Sequence, residues 1–476
     1  MTNNHKLGIV VPYRKRPTHL EAFIDHLKYK LKLDCQIIIV EEKGYKEFNR
    51  GKLLNIGFLK AKEMGCDYVV FHDVDMIATN CNYDYESKPF HLISKLITKD
   101  PGQRSMLDTY FGGVTLFPVD TFETINGFSN EFKGWGFEDD DLMLRCIENN
   151  IDLATVNIKQ RNILGPALNF NGRNSYVEFK NKFSPARNFS ILLSFQTLGI
   201  QPNEELMTDN QSIISIPGYD TNLRYDSFFN LSYQYWLKSD KVWEEKPLAH
   251  SIVSKSLYKG QFNVILTYDV KSNKNHCTNK FFINGSLVGD HTYSKIYGIN
   301  KPKKFFLGAG DPYRDSRPNF FNGNISKFII FKDALSDSEC INLTNLNKLE
   351  LEDFDNTNSI SSYYDFNTSD NILEDKVGYN NGTIFNCTKT DINYVEDFKK
   401  VIPNRKYGEF ETLDHNENGY KDGYWISWNS RLNQIRYINM LNTGKTNYAT
   451  DGLTDCTYKE YSLESNDNVH HYSVTV

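Results

Sequence analysis

Three short, strongly apolar runs lie within the first quarter of the chain, and segments of helical periodicity separate them. They are Leu7-Gly8-Ile9-Val10-Val11, Cys35-Gln36-Ile37-Ile38-Ile39-Val40 and Tyr68-Val69-Val70-Phe71. Continuous runs rich in branched residues suit strands buried on both faces of a parallel sheet. Between the first two, Thr18 and Glu21 have the spacing of a capping box, and Leu20, Phe23, Ile24, Leu27 and Leu31 recur at helical intervals. Phe48-Asn49-Arg50-Gly51-Lys52 leads into a second helix, with Leu54, Phe58 and Ala61 on one side and Gly65 as its stop. Strand, helix, strand, helix, strand predicts a parallel α/β arrangement, whose ligands collect at the carboxyl ends of the strands.

Each of these strands delivers polar residues to that edge. After the first come Pro12, Tyr13, Arg14 and Arg16, and after the third come His72, Asp73, Val74 and Asp75. Two acids at i and i+2 can divide the work of holding a divalent cation and orienting a bound sugar, although an Asx turn at a strand end has the same pattern. Arg14, Arg16 and Arg50 near one sheet edge would suit a diphosphate. Further on, Gly134-Trp135-Gly136-Phe137 introduces four consecutive carboxylates, Glu138-Asp139-Asp140-Asp141, ahead of Leu142, Leu144 and Ile147. The pattern predicts a hinge-like loop that feeds acids onto a helix start, where the dipole favours negative charge. Crowded carboxylates push one another's pKa values apart, which can leave one as a base near neutral pH. The bland alternative is an acidic helix end on a solvated face.

A chain of 476 residues has room for two or three domains, and a hydrophobic fraction of 39% with 24% charged residues describes an ordinary globular protein. A net charge of -6 gives no electrostatic reason to expect nucleic acid or an anionic membrane as a partner. The apolar run at Leu7–Val11 is too short for a signal h-region or a membrane span, so the expectation is a cytoplasmic protein without a transmembrane segment. Eight scattered cysteines without C-x-x-C spacing read as free thiols.

Taken together, the pieces resemble the β-1,4-galactosyltransferase family, a metal-dependent inverting group with the GT-A nucleotide-sugar fold. They are Val11-Pro12-Tyr13-Arg14-x-Arg16, Phe48-Asn49-Arg50-Gly51-Lys52-Leu53-Leu54-Asn55, Asp73-Val74-Asp75, Tyr110-Phe111-Gly112-Gly113-Val114, Ile125-Asn126-Gly127-Phe128-Ser129-Asn130 and Gly134-Trp135-Gly136-x-Glu138-Asp139-Asp140-Asp141. Their order and separations match the family. The resemblance implies a UDP-sugar donor bound by Pro12, Tyr13, Arg14, Arg16, Phe48, Arg50, Asp73, Val74, Tyr110, Gly113, Trp135 and Gly136. It makes Asp139 the general base, with Glu138 and Asp140 positioning donor and acceptor. Tyr110 is then the donor selector that favours galactose over N-acetylgalactosamine, and Trp135 closes over the sugar.

From Ala167 the texture changes to alternating strands, among them Phe189–Phe195, Lys280–Gly289 and Phe320–Phe331, with Asn-Gly pairs as hairpin turns. This stretch resembles a laminin-G-like, concanavalin-type jelly roll, including Leu335-Ser336-Asp337-Ser338-Glu339. Tyr363-Tyr364-Asp365-Phe366 and Asn380–Ile384 look like the pair that opens such a domain, yet they close it here. A circularly permuted sandwich with adjacent ends is the inference. The host family resumes at Phe410-Glu411-Thr412-Leu413-Asp414-His415 and again at Thr450-Asp451-Gly452-Leu453.

The fold class expected is therefore an α/β GT-A nucleotide-sugar transferase domain, residues 1–165 and 398–476, split by an all-β jelly-roll sandwich over residues 166–397. Asp75 and His415 are the implied ligands of manganese (Mn2+). Thr412 stands where family members place a methionine ligand, and Asp414 could replace it. Asp311, Asp315 and Asn319 in the sandwich could bind calcium (Ca2+). The expected reaction is inverting transfer of galactose from UDP-galactose to a sugar hydroxyl of a glycan or glycoconjugate, with the sandwich binding acceptor. N-acetylgalactosamine or another hexose as donor, and a glycan-binding protein that no longer turns over, are the alternatives.

Overall fold

A computed structural model of the chain describes residues 5–31, 33–44, 47–97, 111–134, 136–180, 188–199, 210–216, 221–226, 230–236, 249–255, 259–270, 277–293, 304–310, 312–313, 319–354, 359–368, 370–413, 430–443, 450–466 and 468–476. The chain forms two compact units, Met1–Val156 with Lys400–Val476, and Asn157–Lys399.

In the first unit β1 (Leu7–Tyr13), β2 (Gln36–Glu42) and β3 (Tyr68–His72) alternate with α1 (Pro17–Asp25) and α2 (Arg50–Glu63). β1 pairs in parallel with both β2 and β3, so the chain steps to one side of β1 and then to the other. Such a reversal opens a crevice at the carboxyl ends of the strands. The later elements are β4 (Met76–Cys81), β5 (Phe90–His91), β6 (Lys95–Ile97), β7 (Val114–Pro118), α3 (Val119–Thr124) and α4 (Glu138–Glu148). After the second unit come β8 (Gly408–Thr412), α5 (Ser430–Thr443), β9 (Lys459–Asn466) and β10 (Val469–Thr475). The main sheet runs β9-β10-β2-β1-β3-β7-β5, and β4-β8-β6 form a small second sheet. The main sheet is mixed: β10 joins β2 in parallel, whereas β7 runs antiparallel to β3.

Strand alternation divides the core of this unit into two layers. Val10, Ile38 and Val40 pack with Leu54, Phe58, Phe117 and Phe122 on one face; Ile9, Val11, Ile37 and Ile39 pack with Phe23 and Leu27 on the other. Gly57 sets the approach of α2, because a Cβ there would lie 2.2 Å from Cγ1 of Val10. Asn49 caps α2 by accepting from the Lys52 amide at 3.0 Å, and Gly65, at φ +75°, follows its end.

The start of α1 differs from the expectation. Arg16 is the N-cap and Pro17 is the first helical residue, so Thr18 caps nothing. Proline at that position has its φ preset and no amide to satisfy, and the helix begins there without a capping box.

The strands of the second unit form one continuous antiparallel path in two layers, joined where Ile372–Asp375 pairs with both Ile360–Asp365 and Gly382–Phe385. One layer runs, by strand, Thr388–Ile392, Gly165–Asn171, Asn322–Phe331, Phe189–Thr197, Gly260–Val270, Cys277–Ile283 and Ser286–Tyr293, with Ile360–Asp365 also on Asn322–Phe331. The other runs Ala249–Lys255, Asn230–Trp236, Thr221–Asp226, Asn210–Ile216, Phe305–Leu307, Tyr176–Phe179, Gly382–Phe385 and Ile372–Asp375. Aromatic rings cross from layer to layer: Phe179 lies 5.8 Å from Phe328 and 4.9 Å from Tyr364, centroid to centroid.

Asn284-Gly285 forms the expected two-residue hairpin, with φ of +47° and +81°. Asn322-Gly323 is instead inside a strand, because that strand passes so close to its neighbour that a Cβ on Gly323 would meet the Gln196 carbonyl oxygen at 2.2 Å. The first and last strands of the unit pair with each other, and Arg161 binds Asp397 at 2.7 Å, so its two ends lie side by side. Ser336 and Glu339 form a capping box on the helix Asp337–Thr344.

Candidate active site

The expected polar residues do gather at the carboxyl ends of β1, β2 and β3, and they do so as ion pairs. Beyond β3, the Asp73 amide donates to the Gly113 carbonyl at 2.9 Å, and the Asp73 carboxylate takes Arg50 Nε at 2.9 Å and Nη2 at 2.8 Å. Arg50 Nη1 also lies 3.5 Å from Glu138 Oε1, so one guanidinium spans the acid of the third strand and the first acid of α4. Burial pushes both carboxyls upward, and Arg50 opposes the rise. Asp73 keeps 24% of its side chain exposed and Glu138 13%, enough for a ligand to reach both.

Arg16 Nη1 binds Asp75 Oδ2 at 2.9 Å, while the Arg16 amide donates to the Tyr13 hydroxyl at 3.0 Å. Arg14 is different. Its guanidinium is 5% exposed, pairs with Glu42 and lies 5.2 Å from the centre of the Phe48 ring. Pro12 and Tyr13 belong to β1, and Val74 is buried.

The peptide around Asp73 is fixed from behind. Asp73 O can only accept, so the proton of the neutral His72 ring sits on Nδ1, 3.0 Å from that oxygen, and Nε2 accepts from the Tyr83 hydroxyl at 3.0 Å. Burial lowers His72 to about 4, which keeps the ring neutral.

The acidic run begins α4, as expected. Its lead-in is left-handed at Gly134 (φ +75°), Gly136 (+101°) and Phe137 (+72°). Glu138, Asp139 and Asp140 occupy the first turn, where Asp139 Oδ1 accepts the Asp140 amide at 2.9 Å. Asp141 is set apart. It is fully buried and binds Arg145 Nε at 2.7 Å, and Arg145 also reaches Asp451 at 3.1 Å. Asp451 accepts the Asn130 amide at 2.8 Å, so the motifs around Asn130 and Asp451 are one piece of scaffolding.

The strand that leads to the second expected metal ligand comes from far along the sequence. β8 pairs antiparallel with β4, Thr412 opposite Met76, and the Leu413 amide donates to the Asp75 carbonyl at 2.9 Å. The backbone two residues before His415 is thus bonded to Asp75. His415, Asp414, Tyr110 and Trp135 lie outside the described residues, as do Asp311 and Asp315 of the calcium expectation. Among the described residues no group of three or more His, Cys, Asp or Glu could hold a metal ion, and nothing supports Ca2+ in the sandwich. An aspartate and a histidine form a hard-to-borderline donor pair that fits manganese.

The sequence reading missed Glu42, whose place at the charged end of a buried strand was a usable signal, and Arg145 and Asn433, which carry none locally; Asp451 was placed in a family motif but given no role. Among the described residues seven cysteines are free, and no helix is long and apolar enough to cross a membrane.

Residues 1–88 match the family model for the N-terminal region of glycosyl transferase group 7, and residues 94–164 match that for the N-terminal domain of galactosyltransferase. β-1,4-Galactosyltransferase 4 of Cricetulus griseus is 41% identical over 146 residues, 29% of this chain and 42% of that protein. Xylosylprotein 4-β-galactosyltransferase of Caenorhabditis elegans is 31% identical over 158 residues, 33% of this chain and 55% of that protein. The chain therefore spans about half the length of these curated relatives. Among solved structures, the catalytic domain of Drosophila β-1,4-galactosyltransferase 7 in complex with xylobiose is 28% identical, covering 31% of this chain and 63% of that one at a TM-score of 0.26.

Proposed function

We propose, from the premise that residues 1–164 make this chain a member of the β-1,4-galactosyltransferase family, that it transfers galactose from UDP-galactose to a glycan hydroxyl with inversion. Asp75 and His415 are the residues that would hold Mn2+, and a divalent cation there supplies charge neutralisation for a departing diphosphate. Asp139, at the start of α4, takes the proton of the acceptor hydroxyl. Glu138, tied to Arg50, and Asp140 orient donor and acceptor.

Arg16 and Arg50 keep 11% and 14% of their side chains exposed and are the guanidinium groups that contact the diphosphate. Arg14 acts from behind: it is consumed by Glu42 and packs on Phe48, which anchors the loop leading to Arg50. For the sandwich the reading is acceptor-glycan binding, supported by its likeness in sequence to laminin-G-like domains.

The observation that supports the reading best is the Leu413 to Asp75 hydrogen bond, which ties the end of β8 to the strand end that bears the Asp-Val-Asp acids. The test is UDP release from UDP-galactose and from UDP-N-acetylgalactosamine, with Mn2+ and mixed acceptors. Asp139→Asn is expected to lower kcat by about 100-fold or more with an unchanged melting temperature. Equal turnover by wild type and variant contradicts the role of Asp139. Release from UDP-N-acetylgalactosamine alone contradicts galactose as the donor.

A further inference from the structure

We propose that Asn433 is a positioning residue for the acidic cluster: from α5, its carboxamide fixes the left-handed turn from which α4 projects Glu138, Asp139 and Asp140. The inference deepens the transferase reading and rests on it for its kinetic consequence.

The turn is costly. Gly134 and Gly136 adopt positive φ freely, but Phe137 does so at +72° with a bulky side chain, a strained conformation that persists only when its surroundings over-determine it. No side chain caps α4 either. Its first turn is closed by the Asp141 amide on the Phe137 carbonyl at 2.9 Å, so the direction in which the acids leave the turn depends on the Phe137 backbone.

One face of α5 supplies the restraint. Asn433 Nδ2 donates to the carbonyls of Lys133 at 2.9 Å and Gly136 at 3.1 Å, while its Oδ1 accepts the Lys133 amide at 3.4 Å. Four residues on, Tyr437 sets its ring 5.3 Å from that of Phe137, which is 2% exposed. Arg436 binds Glu131 at 2.8 Å and lies 5.6 Å from the Phe132 ring centre. The side chain at 433 has to offer two N–H groups and an acceptor at once, and a carboxamide of this length does so. An aspartate of the same shape would set a carboxylate against two carbonyl oxygens.

Asn433→Asp tests the inference in the full chain. Expected for Asn433→Asp is a kcat for UDP release at least 10-fold lower, a KM for UDP-galactose within 2-fold of wild type, and amide hydrogen exchange at residues 133–138 at least 10-fold faster. Should Asn433→Asp reduce the yield of folded protein, Asn433→Ser, too short to reach both carbonyls, carries the same expectations. Unchanged exchange, faster exchange with unchanged kcat, or a loss confined to KM each overturns the positioning role. If wild-type protein releases no UDP from either UDP-sugar, the transferase reading fails, and the exchange measurement alone decides whether Asn433 holds the turn.

Discussion

The two units bury charge in different ways. In the first, Arg14 with Glu42, Arg16 with Asp75, and Arg50 with Asp73 and Glu138 converge on the carboxyl ends of three neighbouring strands. In the second, the buried charges of Asp375 and Lys327 are each absorbed where they stand. Asp375 accepts amides from Tyr363, Val377, Gly378 and Asn380 and so closes a turn; Lys327 donates to the Tyr363 hydroxyl at 2.8 Å. Taking charge out of water costs several kcal/mol per ion before any pairing offsets it. A cluster of such groups in one crevice is poor value as stabilisation, and that is where a site with work to do is expected. The isolated charges of the sandwich are compatible with structure alone.

Breaking that contrast starts with Arg50, the cation shared by Asp73 and Glu138. Arg50→Met leaves two carboxylates, both already raised by burial, with no counter-charge between them. Turnover should fall by about 100-fold or more, and unfolding of the first unit in urea should become easier by about 3 kcal/mol. A variant that keeps its activity would make the Arg50 pairs ordinary ion pairs.

The next effect separates scaffold from site within the acidic run. Burial raises the Asp141 carboxyl to about 6 despite the Arg145 beside it. Its folded pKa thus lies above the unfolded value near 4, so the folded form holds the proton more tightly. Its contribution to stability is complete below pH 4 and is lost as pH rises through 6. Glu42, Asp73 and Glu138 shift the same way, so the measurement is the difference between wild type and Asp141→Asn. Between pH 3 and 7 wild type should lose about 3 kcal/mol relative to the variant. A flat difference would show that Arg145 holds Asp141 ionised throughout.

The smallest effect lies in the sandwich. Lys327→Met exchanges a buried cation for an apolar chain of similar length, and such exchanges are often neutral or stabilising. Stability should change by less than about 1 kcal/mol and turnover not at all. A loss comparable to that of Arg50→Met would mean that the second unit also carries a working charge.

Much of this was legible where the physics is local. Continuous apolar runs marked β1, β2 and β3, the stretch Phe48–Lys52 marked the lead into α2, and four acids after a glycine pair marked α4. What could not be read depended on residues distant in sequence. Arg14 has a spacing that suits a phosphate contact, but the register that sets Tyr13 beside Glu41 on β2 brings Glu42 within its reach first. Asn433 lies in a helix without a distinctive pattern, and its value comes from two carbonyls about 300 positions earlier. Asn322-Gly323 reads as a turn and lies in a strand, because the approach of its neighbour outweighs local preference.

The central claim is that Asp75 and His415 hold one cation, a proposal supported by the pairing of β8 with β4 and by the hydrogen bond from Leu413 to Asp75. The direct measurement is a titration of full-length protein with Mn2+, followed by the electron paramagnetic resonance signal of the free ion, for wild type, Asp75→Asn and His415→Ala. The account predicts one site in wild type and binding at least 10-fold weaker in each variant. Wild-type affinity in either variant, or no binding by wild type, would contradict it.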